Sequence, residues 1–192
     1  MIDEGTFKIL SIDPGTTNTG YAVIEATIQT LQIVHADAWS INAGKIIDPN
    51  SWDSSEFGTR FSRIQVLKNC FTQYLHHFRP LLVVSEAPFY NPKRPQAYGA
   101  LLEVVLAFKD ALYRYDRCMT LEFIEPSVAK KSIGVSGICS DKYLIRDTLV
   151  ATPELKNYNL KDLDEHASDA LLVAKCQLDV LRRTYLNYPE TP

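Results

Sequence analysis

The stretch that most constrains the fold of this chain runs from Phe7 to Val23. Its apolar run, Ile9 to Ile12, is typical of a buried β-strand and ends in a carboxylate, Asp13. Proline and glycine come next and interrupt the strand, because proline fixes φ and glycine permits positive φ. A second apolar run begins at Gly20. The segment therefore predicts a β-hairpin with a small polar turn.

The position of Asp13 permits two interpretations. An acidic residue where a strand opens into a Gly/Thr turn suits a metal ion or a phosphate, because the backbone approaches closely and amides and hydroxyls point inward. The alternative is an ordinary hairpin in which the aspartate serves only the turn. Further acids at comparable positions in the chain favour the first interpretation.

Length and composition indicate a globular chain. With 192 residues, 46% hydrophobic and 22% charged, it is expected to form one domain over residues 1–192, with 186–192 as a flexible tail. No apolar run reaches the roughly 18 residues of a membrane span, and the acidic, polar N-terminus does not resemble a signal peptide. The four cysteines form no CxxC pair, so we expect reduced thiols, no zinc site and a cytoplasmic location.

The charge balance is a weak guide to the partner. A formal net charge of −3 and a pI of about 5.8 argue against a protein that coats nucleic acid. A local basic face is still compatible with these values, because carboxylates at a metal site lower the net charge by themselves.

The remaining sequence predicts strands and helices in alternation. The expected elements are a strand at Leu31–Ile41, a loop at Asn42–Ser55, a helix from a capping box at Asp53 and Glu56 to the residue before Pro80, a strand at Leu81–Glu86, a helix at Gln96–Arg117, a strand at Cys118–Ile124, a helix from an N-cap at Ser140 to Val150, and a helix at Asp162–Tyr185. This order predicts a mixed α/β sheet that begins with an antiparallel hairpin and continues with βαβ crossovers.

Four residues of this predicted fold are candidates for one site. Asp13 and Glu86 both end strands, and ligands bind at strand ends near a topological switch of an open α/β sheet. His166 and Asp169 are three residues apart, which places them on one face of the last helix. Small alanines beside them would let that helix pack close to the sheet, so its two side chains would face the strand acids.

Three carboxylates and an imidazole suit two hard divalent ions, with Mg²⁺ expected and Mn²⁺ as a substitute. Paired ions about 4 Å apart promote in-line attack of water on a phosphodiester, one activating the water and the other stabilising the leaving 3′-oxygen. The alternative for His166 and Asp169 is a charged helix N-terminus, where an acid favours the helix dipole. This interaction with the helix dipole also fits Asp162, Asp164 and Glu165. An outer-shell position around the metal ions fits Asp164 or Glu165 as well.

The chain resembles the RuvC-type Holliday-junction resolvases of the ribonuclease H-like superfamily. The matching segments are Ile12–Gly15 with Gly20–Val23, Ser85–Phe89, Pro126–Lys131 continuing through Gly137 to Lys142, and Glu165–Ala170. They occur in the family's order and at similar spacing. The resemblance implies a ribonuclease H-like mixed sheet, with the first three strands antiparallel and the later strands parallel, flanked by helices.

The resemblance also implies an activity. Asp13, Glu86, His166 and Asp169 correspond to the metal-binding catalytic set of a DNA endonuclease. A homodimer would nick two opposed strands of a four-way DNA junction symmetrically, with the second long helix as the dimer surface.

Further residues are implied to contact DNA. Phe89 matches the family's aromatic residue that stacks on an unpaired base, although it could instead anchor a loop, and Tyr90 competes for the role. Lys93 and Arg94 are expected to contact the DNA backbone.

Lysines form a separate part of the resemblance. Lys142, together with Lys130 or Lys131, matches the family's active-site lysines, which would hold the scissile phosphate and balance its charge. The alternative is an ordinary solvated basic loop. Because Gly134 and Gly137 are more loosely spaced than in the family, the choice between Lys130 and Lys131 stays open.

Two departures bear on the source and the function of the chain. The segment 42–55 is longer than in a minimal bacterial member, so a viral, phage or organellar relative fits as well as a bacterial one. Asp13 to Asn18 also looks like the phosphate loop of sugar kinases and actin-like ATPases, but the chain is short for their two lobes and lacks their second glycine-rich turn. A junction-binding protein without catalysis is a third hypothesis, although all four metal-binding positions are filled.

Overall fold

The computed structural model describes residues 5–90, 92–93, 95–160 and 162–186. Its centre is one five-stranded sheet with the order β3-β2-β1-β4-β5. The strands are β1 (Thr6–Asp13), β2 (Asn18–Thr27), β3 (Ile33–Asn42), β4 (Leu82–Glu86) and β5 (Leu121–Ile124). The first three pair antiparallel, whereas β4 runs parallel to β1 and β5 runs parallel to β4. This arrangement confirms the mixed sheet that the sequence predicts.

Helices cover both faces of the sheet. They are α1 (Trp52–Phe57), α2 (Thr59–Phe78), α3 (Pro95–Tyr115), α4 (Pro126–Ser132), α5 (Lys142–Val150) and α6 (Glu165–Leu186), with a 3₁₀ turn at Ala43–Lys45. Side chains alternate along β1, so Leu10 and Ile12 pack towards α2 and α3, while Ile9 packs on the face that α6 covers. None of the helices in the described ranges combines the length and apolar character needed to cross a membrane.

The long helix predicted to start at Asp53 is in fact two helices. Its N-cap is Ser51, whose hydroxyl accepts a hydrogen bond from the Ser54 amide. Gly58 separates α1 from α2 and has a φ of 84°, a backbone conformation that glycine adopts without strain. The segment 42–55, predicted to be a loop, therefore includes the 3₁₀ turn and part of α1.

Other boundaries shift by a few residues. β3 begins later than predicted because Leu31 has a φ of 53° and lies in the turn after β2. Asp141, rather than the serine before it, caps α5 by accepting hydrogen bonds from the amides of Tyr143 and Leu144. Helix α4 was not predicted, and α6 begins at Glu165, later than predicted.

The N-terminal part of α6 lies directly against the first hairpin. A Cβ on Gly20 would overlap the main-chain carbonyl of His166, so only glycine permits this approach. The Ser11 hydroxyl donates to a main-chain carbonyl of α6 at 2.7 Å. Ser40 of β3 donates to Asp164, whose carboxylate also accepts from an amide in the first turn of the helix. Strand residues therefore fix where the first turns of α6 stand above the sheet.

Candidate active site

Two of the predicted acids lie next to each other because of the strand register. In the parallel pair, Ile12 of β1 is opposite Ser85 of β4, so the residues that follow them, Asp13 and Glu86, end adjacent strands on the same edge of the sheet. Because α6 packs closely against the first hairpin, its first turns lie over this edge. His166 Nδ1 lies 2.7 Å from Asp13 Oδ2, which links the helix to the strand end.

The carboxyls of the site are largely withdrawn from water. Asp13 and Asp169 are 7% and 6% exposed, whereas Glu86 and His166 are half-buried. Burial raises the pKa of Glu86 well above its ordinary value, and the charges of Asp13 and Asp169 raise it further. Burial also raises the pKa of Asp169. The hydrogen bond that His166 donates to Asp13 raises the pKa of His166, although burial opposes this shift.

Lys142 brings a positive charge to the same group of acids. Its Nζ lies 2.5 Å from Asp169 Oδ2 and 3.1 Å from Glu165 Oε1. Burial lowers the pKa of Lys142, but the hydrogen bonds and charges of these two acids outweigh burial and raise it overall. The lysine therefore stays protonated and compensates part of the negative charge.

The chemistry of the donor set fits divalent ions. Carboxylate oxygens and one imidazole nitrogen are the donors that Mg²⁺ and Mn²⁺ accept. Burial and then the charges of Asp13 and Asp169 raise the pKa of Glu86, and a bound cation would stabilise its ionised form. Within the described residues, no three His, Cys, Asp or Glu side chains are grouped closely enough to hold an ion as they stand. Asp13 Oδ2 contacts His166 and Asp169 Oδ2 contacts Lys142, so one oxygen of each carboxylate is already engaged.

A cleft of about 390 Å³ opens beside Glu86, and we call it the first cleft. It is lined by Glu86, Phe89, Glu125, Pro126, Ser127, Lys130, Gly137 and Lys142. Phe89 is 68% exposed, so its ring is available to a ligand and does not anchor the loop in the core.

The structure distinguishes the two lysines between which the sequence left the choice open. Lys130 is half-buried, lines the first cleft and donates to the main-chain carbonyl of Cys139 at 2.7 Å. Lys131 is exposed, passes beside Gly137 and is not among the residues that line the cleft. Lys130 is therefore the better placed of the two.

Two other residues that were expected to contact DNA, Tyr90 and Lys93, are not among the residues that line the first cleft. The Tyr90 ring packs edge-on against Tyr98 of α3, with ring centroids 5.5 Å apart. Lys93 lies in the turn that precedes α3, and Arg94 lies outside the described residues. Of the two aromatic candidates, Phe89 is thus the one in the cleft.

A second cleft, of about 580 Å³, shares Lys142 with the first. It is lined by Ser140, Asp141, Lys142, Tyr143, Arg146, Leu163, Asp164, Glu165 and Ser168. Sequence reasoning gave no role to Tyr143 or Arg146. The sequence contained a weak indication for Arg146, because it follows Lys142 by about one helical turn and so lies on the same face of α5.

The sheet order, the acids at adjacent strand ends and the helix over them define a ribonuclease H-like fold. No protein-family model matches the sequence, and no curated protein matches it by sequence. Solved structures do match. RuvC of Thermus thermophilus has a TM-score of 0.66 and 18% identity, over 92% of this chain and 96% of that one. The same protein in complex with Holliday junction substrate has a TM-score of 0.65 and 16% identity, over 92% of this chain and 95% of that one.

A mitochondrial protein of known structure also matches this chain. The yeast mitochondrial Holliday junction resolvase Ydc2 has a TM-score of 0.59 and 14% identity, with coverage of 93% of this chain and 81% of that one. The chain therefore has the fold of RuvC and of other Holliday junction resolvases, at a sequence identity that establishes the fold alone.

Proposed function

We propose that this protein is a metal-dependent endonuclease that resolves four-way DNA junctions by paired, symmetric nicks. The observation that carries the proposal is the convergence of Asp13 and Glu86 with the His166 and Asp169 face of α6, on a fold shared with junction resolvases. A structure of one such resolvase contains a Holliday junction substrate, which makes the same DNA the first substrate to test.

Asp13, Glu86, His166 and Asp169 would hold Mg²⁺ ions, or Mn²⁺ in their place. When bound, the ions supply an activated water and stabilise the leaving 3′-oxygen of the phosphodiester. Lys142 stays charged beside Asp169 and can pair with the phosphate whose strand is cut. Lys130, which also lines the first cleft, adds a second positive charge for the same strand.

The remaining contacts are proposed for DNA held around this site. Phe89 stacks on a base that has lost its partner near the junction centre. Tyr90, Lys93, Arg94 and Lys131 contact the flanking DNA, and a homodimer presents one site to each of two opposed strands.

The test is a mobile four-way junction incubated with the protein and Mg²⁺. We expect paired nicks at symmetric positions that leave ligatable ends. Asp13→Asn should reduce cleavage at least about a hundredfold, because it removes a metal-binding charge, while junction binding in EDTA stays unchanged. Asp53→Asn, at an exposed position in α1, is the matched control and should cleave like the wild type.

The outcomes separate the three hypotheses. Retained nicking by Asp13→Asn rejects Asp13 as a metal-binding residue. Junction binding by the wild type without nicking in Mg²⁺ or Mn²⁺ indicates a non-catalytic junction-binding protein. Mg²⁺-dependent ATP turnover without nicking indicates a phosphate-loop ATPase.

A further inference from the structure

We propose that the second cleft is a nucleotide subsite, in which an unpaired base stacks on Tyr143. The base would belong to the cleaved strand, on the opposite side of the scissile phosphate from the base that Phe89 receives. This inference rests on the proposed nuclease function and extends it by giving a role to Tyr143 and Arg146.

Lys142 connects the two clefts. It is the residue that lines both of them, and its ammonium group lies against Asp169 in the acidic site. Because Lys142 lines both clefts, a strand whose phosphate pairs with this lysine can extend over one cleft on each side of that phosphate. Each cleft contains an exposed aromatic ring, Phe89 in the first and Tyr143 in the second.

The Tyr143 ring is arranged for one-sided stacking. The residue is 73% exposed, and the guanidinium of Arg146 lies over the ring at 5.4 Å from its centroid. Arg146 is itself held by Asp147, with 2.8 Å between Nη2 and Oδ1. Because the guanidinium covers one face of the ring, the opposite face can receive a planar base.

The charges in the second cleft favour a base over a phosphate. Asp141 accepts hydrogen bonds from two amides of α5. Asp164 accepts hydrogen bonds from the Ser40 hydroxyl and from an amide of α6. Glu165 forms an ion pair with Lys142. These three carboxylates outnumber the two cations that line the cleft, Lys142 and Arg146, and so disfavour a phosphate inside it. A neutral base avoids that repulsion and keeps its own phosphate at the rim, near Lys142.

The chain contains a matched control for Tyr143. Tyr185, in the last turn of α6, is also 73% exposed and is not among the residues that line either cleft. Substitution of Tyr185 therefore removes an equally exposed tyrosine from the other end of α6.

The experiment uses full-length protein and four-way junctions in EDTA, each with one 2-aminopurine at a successive position around the cleavage site. At one position on the side away from Phe89, we expect wild-type protein to quench the fluorescence by stacking. Tyr143→Ala should lose this quenching and bind that junction about fivefold to a hundredfold more weakly, the range that one base–aromatic stack provides. Tyr143→Phe and Tyr185→Ala should behave like the wild type.

The result that overturns the inference is quenching by Tyr143→Ala equal to that of Tyr185→Ala at every position. The cleft would then serve another ligand, such as a protein partner. Cleavage of the unlabelled junction by the wild type in Mg²⁺ reports separately on the proposed function. If the wild type cleaves but the two alanine variants bind and quench alike, the inference alone fails. If the wild type neither binds nor cleaves the junction, the proposed function fails and the inference fails with it.

Discussion

At the scale of single residues, the surroundings of Glu86 shift the pKa of its carboxyl group. Glu86 ends β4 in a half-buried position, where the charges of Asp13 and Asp169 add to the effect of burial on its pKa. In the unfolded chain the same carboxyl titrates near 4.3, its approximate ordinary value. Since folding raises this pKa, the folded protein binds the proton more tightly than the unfolded chain does.

The sign of the resulting pH dependence follows directly. Below the unfolded pKa both states are protonated and Glu86 costs no stability, whereas the cost grows as the pH rises towards the folded pKa. Glu86→Gln should therefore raise the melting temperature in EDTA at about pH 8 and leave it nearly unchanged at about pH 4. Calorimetry at both values measures this, with Glu56→Gln, an exposed position, as the control. An equal effect of Glu86→Gln at both values would contradict the prediction.

Sequence reasoning could identify the acids but could not complete the site. Asp13 and Glu86 follow apolar runs, so a strand-end position is readable from the sequence alone. Lys130 and Lys131 are adjacent on a short helix, and which of them faces the cleft depends on how α4 docks. Tyr143 becomes a candidate only once the second cleft is visible. The roles that depend on tertiary packing were the ones that the sequence left open.

At the scale of elements, the seating of α6 on the first hairpin decides the geometry of the site. Gly20 permits the main chain of α6 to approach β2, because a Cβ there would overlap the carbonyl of His166. Both atoms of that clash belong to backbone or to a Cβ, so no flexible side chain can move aside. The same carbonyl belongs to a residue proposed to bind metal, so the helix cannot shift without moving the site.

Gly20→Ala should therefore lower the free energy of unfolding by about 2 kcal/mol or more, as overpacking does in a rigid core. Gly99→Ala is the matched control, because its Cβ would meet nothing within 4 Å and Gly99 lies in the exposed interior of α3. The control should raise the free energy of unfolding by roughly 0.5–1 kcal/mol through helix propensity. Urea denaturation measures both. A neutral Gly20→Ala would show that α6 is free to move away from β2.

Most helices and strands could be predicted from the sequence, because apolar periodicity indicates which face of a segment is buried. The errors have local causes. The aromatic residues of α1 and α2 continue one helical period, so the sequence predicts a single helix, and only the positive φ of Gly58 reveals the break. Helix α4 has seven residues, too few to show a full amphipathic repeat.

At the scale of the whole molecule, each candidate site is complete within one chain. Asp13, Glu86, His166 and Asp169 all belong to the same sheet and the helix that packs on it. A junction has two opposed strands to cut, so paired nicks require two such sites. In the homodimer that we propose, neither subunit needs to lend an acid to the other, and one inactive subunit cannot be rescued by its partner.

We therefore expect a mixed dimer with one Asp13→Asn subunit to nick only one strand of a junction. Two affinity tags on co-expressed chains allow the mixed dimer to be purified, and a cruciform extruded from a supercoiled plasmid reports the outcome. The wild-type dimer carrying both tags should linearise the plasmid by two nicks within one encounter. The mixed dimer should accumulate nicked circles at about half the total nicking rate, since one of its two sites is active. Linearisation at the wild-type rate, or sedimentation of the junction-bound protein as a monomer, would contradict a dimer with one self-contained site per subunit.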